Sequence, residues 1–134
     1  GGGAPSRARL RVASGTAATG GSLRVAIMAE GAEPAVAMDL SLAFDPAILR
    51  PIAADRGEAA AAFTLTTNTT VPGRIRLGLY GVRPLGGSGE IAVITFQVTG
   101  PAGGATDLIL DASLDEGRLA AEVRDGRVRV RPGR

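Results

Sequence analysis

Apolar and polar residues alternate with a period of two along most of the chain, the signature of half-buried β-strands. From Arg7 to Val12 the residues Ala8, Leu10 and Val12 share one face and three Arg share the other. After the segment "SGTAATGG", which reads as a turn, Leu23, Val25, Ile27 and Ala29 line one side of the next strand, and "EGAEP" breaks it. The clearest alternation follows: Val36, Met38, Leu40, Leu42 and Phe44 point one way, and Ala35, Ala37, Asp39, Ser41 and Ala43 the other. Pro46 has no N–H to give a ladder and biases its predecessor towards extended geometry, so Asp45-Pro46 ends this strand and "AILRPI" begins another.

Further strands are predicted at "FTLTTNT", "GRIRLGLYG", "EIAVITFQVTG", "TDLILDASL" and "GRVRVRP", separated by Gly, Pro, Asn or Asp. Nine short strands with this punctuation predict an all-β fold, an antiparallel sandwich or barrel. The propensities of Ala, Leu and Glu admit a helical turn in "RGEAAAAF" and, less readily, a helix in "DEGRLAAEV".

Length and composition limit what such a fold can do. The 134 residues fit one domain, and a chain of this size buries about 68% of its unfolded surface, enough for a core without staples. Cys is absent, which excludes disulfides and thiolate metal sites. No stretch approaches the roughly 18 apolar residues of a membrane-spanning helix, and the opening Gly1-Gly2-Gly3 does not resemble a signal peptide, so the chain reads as a piece of a longer or processed protein.

The net charge of +2 hides an asymmetry. Residues 21–123 carry a net −5, whereas the two ends carry +7, and every basic residue is Arg. That bias, with abundant Ala and Gly, suggests a GC-rich bacterial genome. It does not indicate nucleic-acid binding, because the Arg residues alternate with Val, Leu and Ala in "RARLRV" and "RVRVR" and no stacking aromatics are interleaved with them. They read instead as solvent faces of protected strands.

Candidate chemistry is sparse. With no His and no Cys, proton transfer or nucleophilic attack would fall to carboxylates, hydroxyls, Arg or Tyr80. Asp107 and Asp111 share a strand face, but four residues at ~3.3 Å each put them roughly 13 Å apart, too far for a glycosidase pair. In "DASLDEGRLAAE", Asp111, Ser113, Asp115 and Glu122 match the first, third, fifth and twelfth places of a calcium loop, but Glu116 occupies the place that requires Gly. Asn68-Thr69-Thr70 is a three-residue glycosylation match, read here as strand-end polarity. A sugar-binding face needs an aromatic platform, and with no Trp and the Phe residues turned inward only Tyr80 remains. These readings predict no enzyme activity, no metal and no cofactor.

The order "GGSLRVAIMAEG", "AVAMDLSLAFDPAILRPI", "GRIRLGLYG", "GSGEIAVITFQVTG" and "DGRVRV" resembles cohesin domains, the receptor modules of cellulosome scaffolds and related bacterial and archaeal surface proteins. The most specific pieces are Phe44, Asp45, Pro46 and Leu49, and later Gly89 to Phe96; the resemblance runs from about Arg9 to Arg131. It assigns residues 1–7 to a linker and 8–132 to a cohesin-like domain, and implies a nine-stranded jelly-roll sandwich that is non-catalytic and binds a calcium-loaded dockerin, the calcium belonging to the partner. The same resemblance implies an exported, extracellular or cell-surface, monomeric module, with no nucleic acid and no membrane insertion.

The resemblance also implies a docking sheet made of the third, fifth, sixth and eighth predicted strands, with the first and last strands paired in the other sheet. The outward positions are then Ala35, Ala37, Asp39, Ser41 and Ala43; Thr64, Thr66 and Asn68; Arg74, Arg76, Gly78 and Tyr80; and Asp107, Ile109 and Asp111. Of these, Ala37, Asp39, Ser41, Thr66, Asn68, Arg74, Arg76, Tyr80 and Ile109 are the candidate partner-binding residues, joined by Leu85 in the following connection. Tyr80 is the candidate anchor. A structural or adhesive spacer and a carbohydrate-binding module are the competing readings.

Overall fold

The computed structural model describes residues 7–133, so the first six residues of the expected linker lie outside the described residues. Eleven strands form two packed sheets: β1 (Ala8–Val12), β2 (Gly15–Ala18), β3 (Ser22–Glu30), β4 (Ala37–Ala43), β5 (Leu49–Arg56), β6 (Thr64–Asn68), β7 (Arg74–Tyr80), β8 (Gly89–Val98), β9 (Ala105–Leu114), β10 (Ala121–Arg124) and β11 (Gly126–Arg131). One sheet has the order β10-β1-β3-β8-β5 and the other β2-β11-β9-β4-β7-β6.

The alternation read from the sequence is the core. Leu10, Val25, Ile27, Ile94 and Phe96 from one sheet meet Met38, Leu40, Leu42, Ile75, Leu77, Leu79, Leu108 and Leu110 from the other, all buried. Phe44 and Phe96 join the sheets edge to face, with ring centroids 5.1 Å apart, a geometry in which the positive edge of one ring meets the negative face of the other.

The Asp45-Pro46 break moves the chain between sheets. After β4, the Asp45 carboxylate accepts the Ala47 N–H at 2.8 Å and its carbonyl accepts from Ile48 and Leu49, forming a tight turn. The Asp45 N–H donates to the buried Thr106 hydroxyl at 2.8 Å, which ties the turn to β9. The chain then continues as β5, paired with β8 in the opposite sheet. Pro51 is tolerated there because β5 is an edge strand.

Four expectations change. Strand β2 forms where a turn was expected, with Ala17 in the core and a parallel ladder to β11. The segment considered for helix at 115–123 instead makes a short 3-10 turn, Asp115–Gly117, and then β10, parallel to β1; tertiary pairing overrides its helix propensity. The other segment does contain a helical turn, Glu58–Ala60.

The first and last predicted strands are not paired: β1 lies between β3 and β10, whereas β11 lies in the other sheet between β9 and β2. Each end of the chain crosses between sheets, at Ala13-Ser14 and at Asp125, and at the crossing a Cβ on Gly126 would stand 2.9 Å from the Val12 carbonyl oxygen and 3.0 Å from that of Ala13. The arginines of β11 therefore do not sit on the sheet opposite the candidate docking face. Finally, Ala35 is buried and Val36 is 37% exposed, because β4 begins only at Ala37 and the alternation does not extend through the preceding turn.

Candidate partner-binding face

The outer surface of the six-stranded sheet collects nearly all the candidate residues. Register fixes them in rows. Asp111 on β9 stands beside Ser41 on β4, then Arg76 on β7 and Asn68 on β6; the next row is Ser113, Asp39, Gly78 and Thr66. Ala37, Tyr80 and Thr64 form the row at one end, and Ile109, Ala43 and Arg74 the row at the other. Neighbours within a row are about 4.8 Å apart across the ladder.

Small side chains make this face shallow. It forms a depression of about 630 Å³ bounded by Asp39, Ser41, Asn68, Arg76, Tyr80 and Asp111. Gly78 sets its depth, since a Cβ there would come within 2.8 Å of the Tyr80 ring and hydroxyl and 2.6 Å of the Thr66 hydroxyl. The glycine is a bed on which the tyrosine ring lies, a use of glycine where another group approaches closely.

Hydrogen bonds orient the polar groups. The Tyr80 hydroxyl donates to Asp39 Oδ1 at 3.2 Å, and Arg74 donates to the Ser41 hydroxyl at 3.3 Å. The hydrogen bond to Asp39 raises the Tyr80 phenol above its ordinary 10.0, and the carboxylate charge adds to the effect, because ionisation would destroy the donor and set two anions side by side. Tyr80 keeps 46% and Ile109 52% of its surface exposed, so each still offers apolar area to a partner. Arg76 has no hydrogen-bond or ion-pair partner among the described residues.

Leu85 stands apart from the other candidates. It is half-buried against the core, with its N–H bonded to the Ala35 carbonyl, and does not border the depression. Ala35, buried, is likewise absent from the face. Asp115, weighed in the sequence only as a calcium-loop position, instead accepts the Val36 and Ala37 N–H groups on Oδ1 at 2.9 Å each and holds the start of β4 in place, a role the sequence did not reveal. Sequence reasoning missed Arg127, Arg129 and Arg131, which extend the same outer face on β11. The calcium-like spacing at 111–122 is spent on structure: Asp111 and Ser113 are strand residues of β9, and Asp115 is occupied by backbone N–H groups. Among the described residues no group of three or more His, Cys, Asp or Glu could hold a metal ion, and no helix is long and apolar enough to cross a membrane.

The family model described as "Cohesin domain" matches residues 8–122. Among solved structures, the chain is similar to the non-cellulosomal cohesin from the hyperthermophilic archaeon Archaeoglobus fulgidus, with 17% identity, a TM-score of 0.82 and coverage of 92% of this chain and 91% of that one. It is similar to the seventh ScaB type I cohesin from Pseudobacteroides cellulosolvens at 20% identity and TM-score 0.80, covering 94% and 93% of the two chains. The Coh-OlpC-Doc435 structure, a type I cohesin-dockerin complex from Clostridium thermocellum, gives 14% identity and TM-score 0.82 over 98% of both chains. No curated relative matches the chain by sequence.

Proposed function

The chain belongs to the cohesin family, and on that premise we propose that it is a non-catalytic, exported interaction module that binds a calcium-loaded dockerin on the outer face of its six-stranded sheet. The observation that carries this reading is the family match over residues 8–122, which takes in β4, β6, β7 and β9, the strands that build the depression around Tyr80. Solved relatives of the same fold include cohesin-dockerin complexes, which supports a partner of that class.

The face suits a helical partner. Its small residues let a helix approach the sheet, Tyr80 and Ile109 supply exposed apolar area, and Asp39, Arg76 and Asp111 are placed to fix the partner's orientation. Aromatic anchors dominate interface energetics, exposed charges such as these set orientation, and the surrounding small residues provide fit.

Capture from a calcium-containing secretome of the source organism tests the proposal. Recovery of a protein with duplicated calcium loops, lost when a chelator is added, supports it. A partner that binds equally well without calcium, or the absence of any captured protein while the bait remains folded, counts against it.

A further inference from the structure

We propose that Asp115 is a positioning residue of the docking face, its carboxylate fixing the strand end on which the Tyr80 anchor is seated. This role presupposes the reading of that face as the dockerin-binding surface. It adds a residue from outside the depression, in the short 3-10 turn that follows β9.

The ladder between β4 and β9 ends at Met38 and Leu114. Beyond it the Asp115 side chain takes the place of a strand, Oδ1 accepting the N–H groups of both Val36 and Ala37 at 2.9 Å. Hydrogen bonds to a carboxylate are the stronger kind. The chain adopts an unfavourable backbone to put the group there. Asp115 and Glu116, at φ 49° and 58°, are the only non-glycine residues of positive φ among the described residues, and Gly117 follows at 87°. Left-handed backbone is costly for residues with a Cβ, least so for Asp and Asn, and strain kept at a defined position points to a role for that position.

What the carboxylate holds is the seat of Tyr80. Ala37 stands directly opposite Tyr80 in the β4–β7 ladder, and the Val36 carbonyl accepts the N–H of Gly81, the next residue, at 2.8 Å. Further back in the same segment, the Ala35 and Glu33 carbonyls accept from Leu85 and Gly86 at 2.8 and 3.0 Å. Asp115 therefore anchors a segment to which both the end of β7 and the loop after it are fastened. The effect reaches the phenol, because Asp39 lies two residues along from Ala37 and its 3.2 Å bond to the Tyr80 hydroxyl is already longer than the usual O–H···O range. A small displacement of Ala37 against Tyr80 is enough to break it.

Two variants separate the hydrogen bonds from the strain. Asp115→Gly relieves the left-handed backbone but removes the acceptor, whereas Asp115→Asn keeps an acceptor on a side chain that tolerates that backbone. Phenolate absorbance, which Tyr80 alone supplies, should give a midpoint close to the ordinary 10.0 in Asp115→Gly and the raised wild-type midpoint in Asp115→Asn. Calorimetric titration with a cognate dockerin should show affinity weakened at least about tenfold by the glycine and by less than about twofold by the asparagine. A glycine variant with a lowered melting temperature but the wild-type midpoint and affinity would reduce Asp115 to a structural role and overturn the proposal, as would equal losses in both variants. If no dockerin binds the wild-type chain, the docking reading fails, while the titration still decides whether Asp115 positions Tyr80. Should the glycine variant not fold, amide exchange in the wild-type chain decides: the Val36, Ala37 and Gly81 N–H groups, linked in one hydrogen-bonded run, should exchange at a common rate, and independent rates would count against the role.

Discussion

The Tyr80 hydroxyl reaches diagonally across the β4–β7 ladder to Asp39 at 3.2 Å, over the empty position of Gly78, which is the residue paired directly with Asp39. This one contact couples the apolar anchor of the candidate face to its nearest charge.

Tyr80 is the only Tyr in a chain without Trp, so a phenolate absorbance titration reports on it alone. Its midpoint should lie above 10.0 and fall towards that value in Asp39→Asn. Because the folded pKa is raised, the linked stabilisation is fully present below the ordinary phenol pKa and is lost as pH rises through the raised one. The group is nearly half exposed, so solvent screens the effect and the stability change should be small.

Tyr80→Ala combined with Asp39→Ala should weaken binding of a cognate dockerin by at least ~2 kcal/mol if the pair is a central anchor, with little loss of folding stability. The control is Arg9→Ala with Arg11→Ala on the opposite sheet, which should change only the salt-dependent association rate. Calorimetric titration of both double variants decides; the reverse pattern would place the docking face on the five-stranded sheet.

Gly78→Ala should act through Tyr80. The added methyl collides with the ring and hydroxyl, so the ring must lift and its bond to Asp39 must break. The expected outcome is a phenol titration shifted back towards 10.0 and weakened dockerin binding with the fold retained. An unchanged titration in a folded variant would show that the ring does not rest on Gly78.

Phe96→Ala removes a fully buried ring and its edge-to-face contact with Phe44. Urea denaturation should show a loss of ~3 to 5 kcal/mol, a large part of a small domain's stability. A loss near 1 kcal/mol would mean that the core repacks around the vacancy.

Most of this architecture is legible in the sequence because a strand with one buried face must alternate. Met38, Leu40 and Leu42 against Asp39 and Ser41 state both the core and the candidate face at once. The signal fails where a residue's surroundings are set by distant chain. Ala35 and Val36 continue the alternation in sequence, but they sit in a turn held by Ala32, Asp115 and Leu85. Strands β2 and β10 are short and Ala-containing, and exist because a parallel neighbour supplies their ladder. The sheet that β11 joins cannot be read from "RVRVR", since its alternation would suit either sheet equally.

Those two parallel ladders also decide how the domain would respond to tension. β1 runs alongside β10 over four residue pairs, β2 alongside β11 over four more, and each pair joins the beginning of the described chain to its end. A pull transmitted through β1 and β11 would drag the two strands of each pair past one another along their length. Every rung of both ladders would carry load together, so the domain should resist by shear rather than open rung by rung like a zip.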